Sequence, residues 1–143
     1  MDLANARQLI QSSLERMRAL YSKPVFDEWM ILAPGAKHGG VVAYSGARAE
    51  TFRSELSADV EPLRALVEGR QLTVGDFEFA PEAAGPRYDA LMKIGASAFL
   101  ICNHTVKTIA EIRADPRWLK AQAAFVDLSE KFRADPFELP PKT

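Results

Sequence analysis

The sequence predicts an α/β fold: a five-stranded antiparallel sheet flanked by helices, in the order α-β-β-α-β-β-β-α. Three observations carry this. The stretch Arg87–Thr105 reads as a hairpin, because Tyr88, Ala90, Met92 and Ile94 alternate with Asp89, Leu91 and Lys93, and Gly95-Ala96-Ser97 supplies a turn. The second arm, Ala98–Cys102, is apolar on both faces, as a central strand covered on both sides would be. Segments of helical periodicity stand before, between and after the strand-like runs. A length of 143 residues suits one domain with one core, expected over residues 1–133, with a Pro-rich tail at 134–143.

Leu3–Leu20 is the first predicted helix. Leu3, Ala6, Ile10, Leu14, Met17 and Tyr21 recur at helical spacing, Asp2 is placed to cap the start, and Pro24 disfavours helix at Lys23. Val25–Ala33 and Gly40–Ser45 are two strands joined by the turn-rich Pro34–Gly40. Ala47–Gly69 is the middle helix, with Phe52, Leu56, Val60, Leu63 and Val67 as its apolar stripe. Pro62 inside it predicts a kink or break near Ala58-Asp59, which leaves the proline in the first turn of a second segment. Leu72–Ala80 is the third strand. Its apolar phase switches at Gly75-Asp76, which predicts a bulge, and its charges mark it as an edge strand. After the hairpin, Thr105–Phe132 is helical in two pieces, with Asp115 as cap and Pro116 as the first residue of the second piece.

Bulk properties exclude several classes. Eighteen basic against nineteen acidic residues, a net charge of −1, argue against a broad phosphate-binding surface, so no nucleic acid is expected. A single cysteine excludes an intrachain disulfide and a Cys-rich zinc site. No apolar run is long enough to span a bilayer, and the first twenty residues lack a signal-peptide core, so a cytoplasmic protein is expected.

No catalytic residue, cofactor site or metal site is assigned. Cys102 and His104 share a strand face and could form a nucleophile pair, but free cysteine is usually buried and inert. The Gly35–Gly40 loop lacks the following helix and the Lys-Ser/Thr pair of a phosphate cradle, and reads as a hairpin tip. His38, His104 and the carboxylates at Asp27-Glu28 and Asp76/Glu78 fix no metal geometry. Of Arg48, Arg53, Arg64, Arg70 and Arg87, only Arg53 and Arg64 share a helix face, a weak anion site.

The order of elements, carried by the Val25–Ser45 hairpin, the helix at Ala47–Gly69, the Leu72–Asn103 meander and the helix after it, resembles the roadblock (dynein light chain) family and its relatives of profilin-like fold. The chain departs from that pattern in Pro62, in the Asp115-Pro116 break and in a longer C-terminal segment. The resemblance implies a non-enzymatic adaptor that forms a homodimer and regulates or docks a partner such as a small GTPase. A helical projection supplies a candidate interface. Ala47, Ser54, Ala58 and Ala65 fall opposite the apolar stripe of the middle helix, forming a small-residue ridge along which two helices can approach. The edge strand that follows, at Val74, Asp76 and Glu78, offers a twofold partner a sheet edge. The competing reading is a small-molecule sensor with a pocket between the sheet and the C-terminal helix.

Overall fold

The structure is a computed structural model and describes residues 1–21, 25–34, 40–45, 63–80, 88–103 and 108–139. Helix α1 spans Leu3–Tyr21 and buries Ala6, Ile10, Leu14, Met17 and Tyr21, the stripe expected from the periodicity. Asp2 caps it: the Asn5 N–H donates to Asp2 Oδ1 at 2.8 Å, and the Ala6 N–H to the Asp2 carbonyl at 3.0 Å. Strand β1 is Glu28–Leu32 and β2 is Val41–Ser45. β1 starts three residues later than the apolar run at Val25 suggests, because Phe26 has φ 53°, a left-handed value that breaks an extended chain. Helix α2 is described over residues 63–68, where Leu63 and Val67 are buried; the predicted kink at Ala58-Asp59 and Pro62 lie outside the described residues.

Strand β3 is Phe77–Phe79, much shorter than the predicted Leu72–Ala80. The cause is local. The Asp76 N–H closes a turn onto the Thr73 carbonyl at 3.0 Å, with Gly75 at φ +93°, the positive value that the third residue of such a turn requires. Gly75 and Asp76 then stand together against Lys93: the Gly75 N–H donates to the Lys93 carbonyl at 2.8 Å, and the Lys93 N–H to the Asp76 carbonyl at 3.0 Å. Two residues facing one is a bulge, at the position where the apolar phase switches.

Strands β4, Ala90–Gly95, and β5, Ala98–Asn103, form the hairpin, and β5 is buried along Ala98–Cys102. The sheet is antiparallel throughout, in the order β2-β1-β5-β4-β3. The register links Ile31, Leu100, Met92 and Phe77 across one face. Phe77 and Phe79 meet Phe125 of the C-terminal helix at 6.1 and 5.3 Å between ring centroids, so this face lies under the terminal helices. Helix α3 is Ile109–Ala114 and α4 is Trp118–Ala134. Between them the Asp115 carboxylate accepts the Arg117 N–H at 2.8 Å and Arg117 donates to the Leu20 carbonyl at 2.9 Å, which fastens the break to the end of α1.

The buried face of α4 is Ala121, Ala124, Phe125, Leu128, Ser129 and Phe132, while Leu119 and Val126 are exposed. Beyond α4 the chain docks: Phe137 is buried, and its N–H donates to the Ile94 carbonyl at 2.8 Å. Gly95 makes room for this, since a Cβ there would lie 2.3 Å from the Phe137 carbonyl oxygen.

Candidate interaction surface at the β3 edge

The sheet order puts β3 at one border. In an antiparallel ladder, hydrogen-bonded and non-bonded pairs alternate. Ala80 donates to Asp89, and Lys93 to Asp76, so 80 and 76 are bonded positions. Phe77 and Phe79 are therefore non-bonded positions. Their backbone N–H and C=O groups point away from β4, toward the outer edge, while their rings stay in the core with Phe125 and Trp118.

Side chains on both sides of this edge are tied to the molecule. Glu78 receives the Tyr88 hydroxyl at 2.9 Å and the Arg70 guanidinium at 2.5 Å, and Arg70 also donates to the Tyr88 oxygen at 3.2 Å. This triad joins the end of α2 to β3. Burial, with the Glu78 carboxylate beside it, pushes the Tyr88 hydroxyl above its ordinary pKa. Asp76 accepts from the Thr73 N–H at 3.0 Å and the Thr73 hydroxyl at 2.9 Å, and pairs with Arg133 at 3.4 Å. The Thr73 backbone N–H, then its hydroxyl, hold the Asp76 carboxyl below the ordinary carboxylate range.

Of the residues proposed from sequence for an interface, Ala65 is exposed on α2, and Val74, Asp76 and Glu78 are half-buried. Val74 lies in the turn before β3 rather than in the strand. Ala47, Ser54 and Ala58 lie outside the described residues. Arg70, grouped from sequence with a weak anion site, is bound to Glu78; Arg48, Arg53 and Arg87 lie outside the described residues. The triad itself was missed, because nothing in the spacing of Arg70, Glu78 and Tyr88 shows that a turn and a strand bring them together.

The catalytic alternative finds a buried thiol. Cys102 is fully inaccessible and burial, with Asp89 nearby, pushes its pKa far up; His104 lies outside the described residues. Between the sheet and the C-terminal helix, where a ligand pocket was expected, Phe125 packs against Phe26 at 5.2 Å and Phe79 against Trp118 at 4.7 Å. Among the described residues no group of three or more His, Cys, Asp or Glu side chains could hold a metal ion, and no helix is long and apolar enough to cross a membrane. No family model, no curated protein and no solved structure matches the chain.

Proposed function

We propose that the chain is a non-enzymatic protein-interaction domain of roadblock-like, profilin-like type that works in the cytoplasm as a homodimer and docks a partner such as a small GTPase. The outer edge of β3 carries this reading. It is a border strand whose Phe77 and Phe79 backbone groups face outward, while their side chains remain anchored in the core. An edge of that kind can add a strand from a second copy without disturbing the packing beneath it. The exposed Ala65 lies on α2, the helix that leads into this edge, and Arg70 ties the end of that helix to Glu78. A twofold operation would use both surfaces in both copies.

Sedimentation tests this. The wild type should be dimeric at micromolar concentration. Ala65→Glu, which places a charge on an exposed helix position, should give a monomer with unchanged circular dichroism. A wild type that is monomeric at tens of micromolar, or a variant that stays dimeric, removes the interface.

A further inference from the structure

Strand addition at the β3 edge has one register that uses every outward group within the strand. The outward backbone groups are those of Phe77 and Phe79, at the two ends of a three-residue strand. A second copy related by a twofold axis through this edge runs antiparallel to it. Centred on Glu78, the pairing sets Phe77 opposite the second copy's Phe79, and Phe79 opposite its Phe77. Each such pair exchanges two hydrogen bonds. A slide by one residue sets outward groups against inward ones. A slide by two loses bonds in either direction. Toward Gly75, Phe79 meets a residue whose N–H is held by Lys93 and whose carbonyl accepts from Ser129. Toward Pro81, Phe77 meets a residue that has no N–H.

The consequence falls on Glu78. In this register Glu78 of one copy stands directly opposite Glu78 of the other, a non-bonded pair with Cα atoms ~4.5 Å apart. Both carboxylates lie on the α2 side of the sheet, since the Phe77 and Phe79 rings face α4 while Glu78 meets Arg70, just after α2. Like charges directly opposite each other destabilise a strand pair. Here each carboxylate is neutralised inside its own chain. Arg70 lies 2.5 Å from Glu78 Oε1, and the Tyr88 hydroxyl donates to the same oxygen at 2.9 Å. Arg70 also donates to the Tyr88 oxygen at 3.2 Å, which fixes the guanidinium in place. The Arg70 and Glu78 side chains are 29 % and 30 % exposed, so the pair stands at the surface that a second copy would cover. On the other side of the sheet Phe77 and Phe79 are half-buried, and the same pairing would cover them further.

We propose that the β3 edge pairs with a second copy of this chain in the register centred on Glu78, and that Arg70 permits this pairing by cancelling the charge that would otherwise face its own twofold image. This rests on the homodimer reading of the edge.

Sedimentation across a concentration series tests the charge, with Arg70→Gln and the double variant Arg70→Gln/Glu78→Gln. Arg70→Gln bares the carboxylate at the twofold. Its dimer dissociation constant should rise about tenfold or more at about 50 mM NaCl, and the deficit should shrink at about 500 mM, where screening acts over a shorter distance. The double variant, with no carboxylate at position 78, should return to within about threefold of wild type. A merely structural tie between α2 and β3 would weaken both variants alike. Cross-linking tests the register. Cys102 is the single cysteine and is buried, so Glu78→Cys adds one accessible thiol. Two such thiols at the twofold fall within the ~4.4–6.8 Å Cα separation that a disulfide spans, and mild oxidation should give a covalent dimer. A wild type that is monomeric at tens of micromolar removes the homodimer reading and this inference with it. A dimeric wild type overturns this inference alone if Arg70→Gln dimerises equally well, or if the double variant is as weak as Arg70→Gln. A dimeric Glu78→Cys that does not cross-link also overturns it alone.

Discussion

Replacing Gly75 with alanine separates two costs that occur at one position. The first is conformational. Gly75 has φ +93°, and a side chain in the left-handed region costs ~1–2 kcal/mol. The second is steric. A Cβ at Gly75 would lie 2.3 Å from Arg133 Cγ and 2.8 Å from its Cδ. That neighbour can give way, because the Arg133 side chain is half exposed and its 3.4 Å contact with Asp76 is a solvent-screened surface pair. The backbone has less freedom: the Gly75 N–H is held by Lys93, and the Gly75 carbonyl accepts the buried Ser129 hydroxyl at 2.5 Å. Alanine also narrows the unfolded ensemble, which returns ~0.4–1 kcal/mol. The net expectation for Gly75→Ala is a loss of roughly 1 kcal/mol and at most ~2.5 kcal/mol, seen as a fall of about 2–4 °C in Tm for each 1 kcal/mol. Urea unfolding of the wild type, Gly75→Ala, Arg133→Ala and the double variant separates the two costs. The loss should persist in the Arg133→Ala background, eased by less than ~1 kcal/mol. A Gly75→Ala protein more stable than wild type would refute the conformational argument, as would complete rescue by Arg133→Ala.

Three further predictions concern neighbouring features. Cys102 should not react with a disulfide reagent at neutral pH in the native protein and should react stoichiometrically once the chain is unfolded; fast native reaction would contradict its burial. The Asp76 carboxyl has a depressed folded pKa, so its contribution is fully present above the unfolded aspartate value and is lost as pH falls through the folded value. Acid titration followed by the Thr73 amide signal should show that transition below the ordinary aspartate range and should lose it in Asp76→Asn; a midpoint above that range would contradict the sign. Gly95→Ala should push the 135–139 segment off the sheet, because its Cβ meets backbone rather than a movable side chain, and the segment should become protease-sensitive. A wild-type digestion pattern would show that the docking tolerates the methyl.

Much of the sheet was legible because its signals are local. The unbroken apolar run at Ala98–Cys102 marks a strand covered on both faces, and β5 lies between β1 and β4. The phase switch at Gly75-Asp76 marks the bulge for the same reason, since alternation fails where the ladder does. What was not legible depends on distant partners. The apolar run from Val25 gives no sign that Phe26 turns the chain out of the extended region, and its ring packs edge-on against Phe125 of α4, a partner far away in sequence. Leu119 and Val126 look like core residues by type, yet the face that α4 buries is chosen by Phe125, Leu128 and Phe132. At the candidate interface, the charges Asp76 and Glu78 made the edge readable. The Arg70–Glu78–Tyr88 triad was not, because it joins residues from three separate segments.

The pairing of α1 with α4 has a consequence during synthesis. Arg16 meets Asp127 at 3.0 Å across 111 residues of sequence, and Tyr21 reaches Ile112 in the same layer. A ribosome adding ~5–20 residues per second leaves roughly 6–20 s between the two sides of that contact. For that interval Ile10, Leu14 and Met17 have no α4 to cover them, and β1 has no β5 at its inner edge. The nascent chain therefore presents an amphipathic helix and an apolar strand with one open edge before the elements that cover them exist. Trigger-type holdases that bind short apolar stretches would find their target here. Slowing translation ahead of α4 should raise aggregation of this protein more than slowing it ahead of α1.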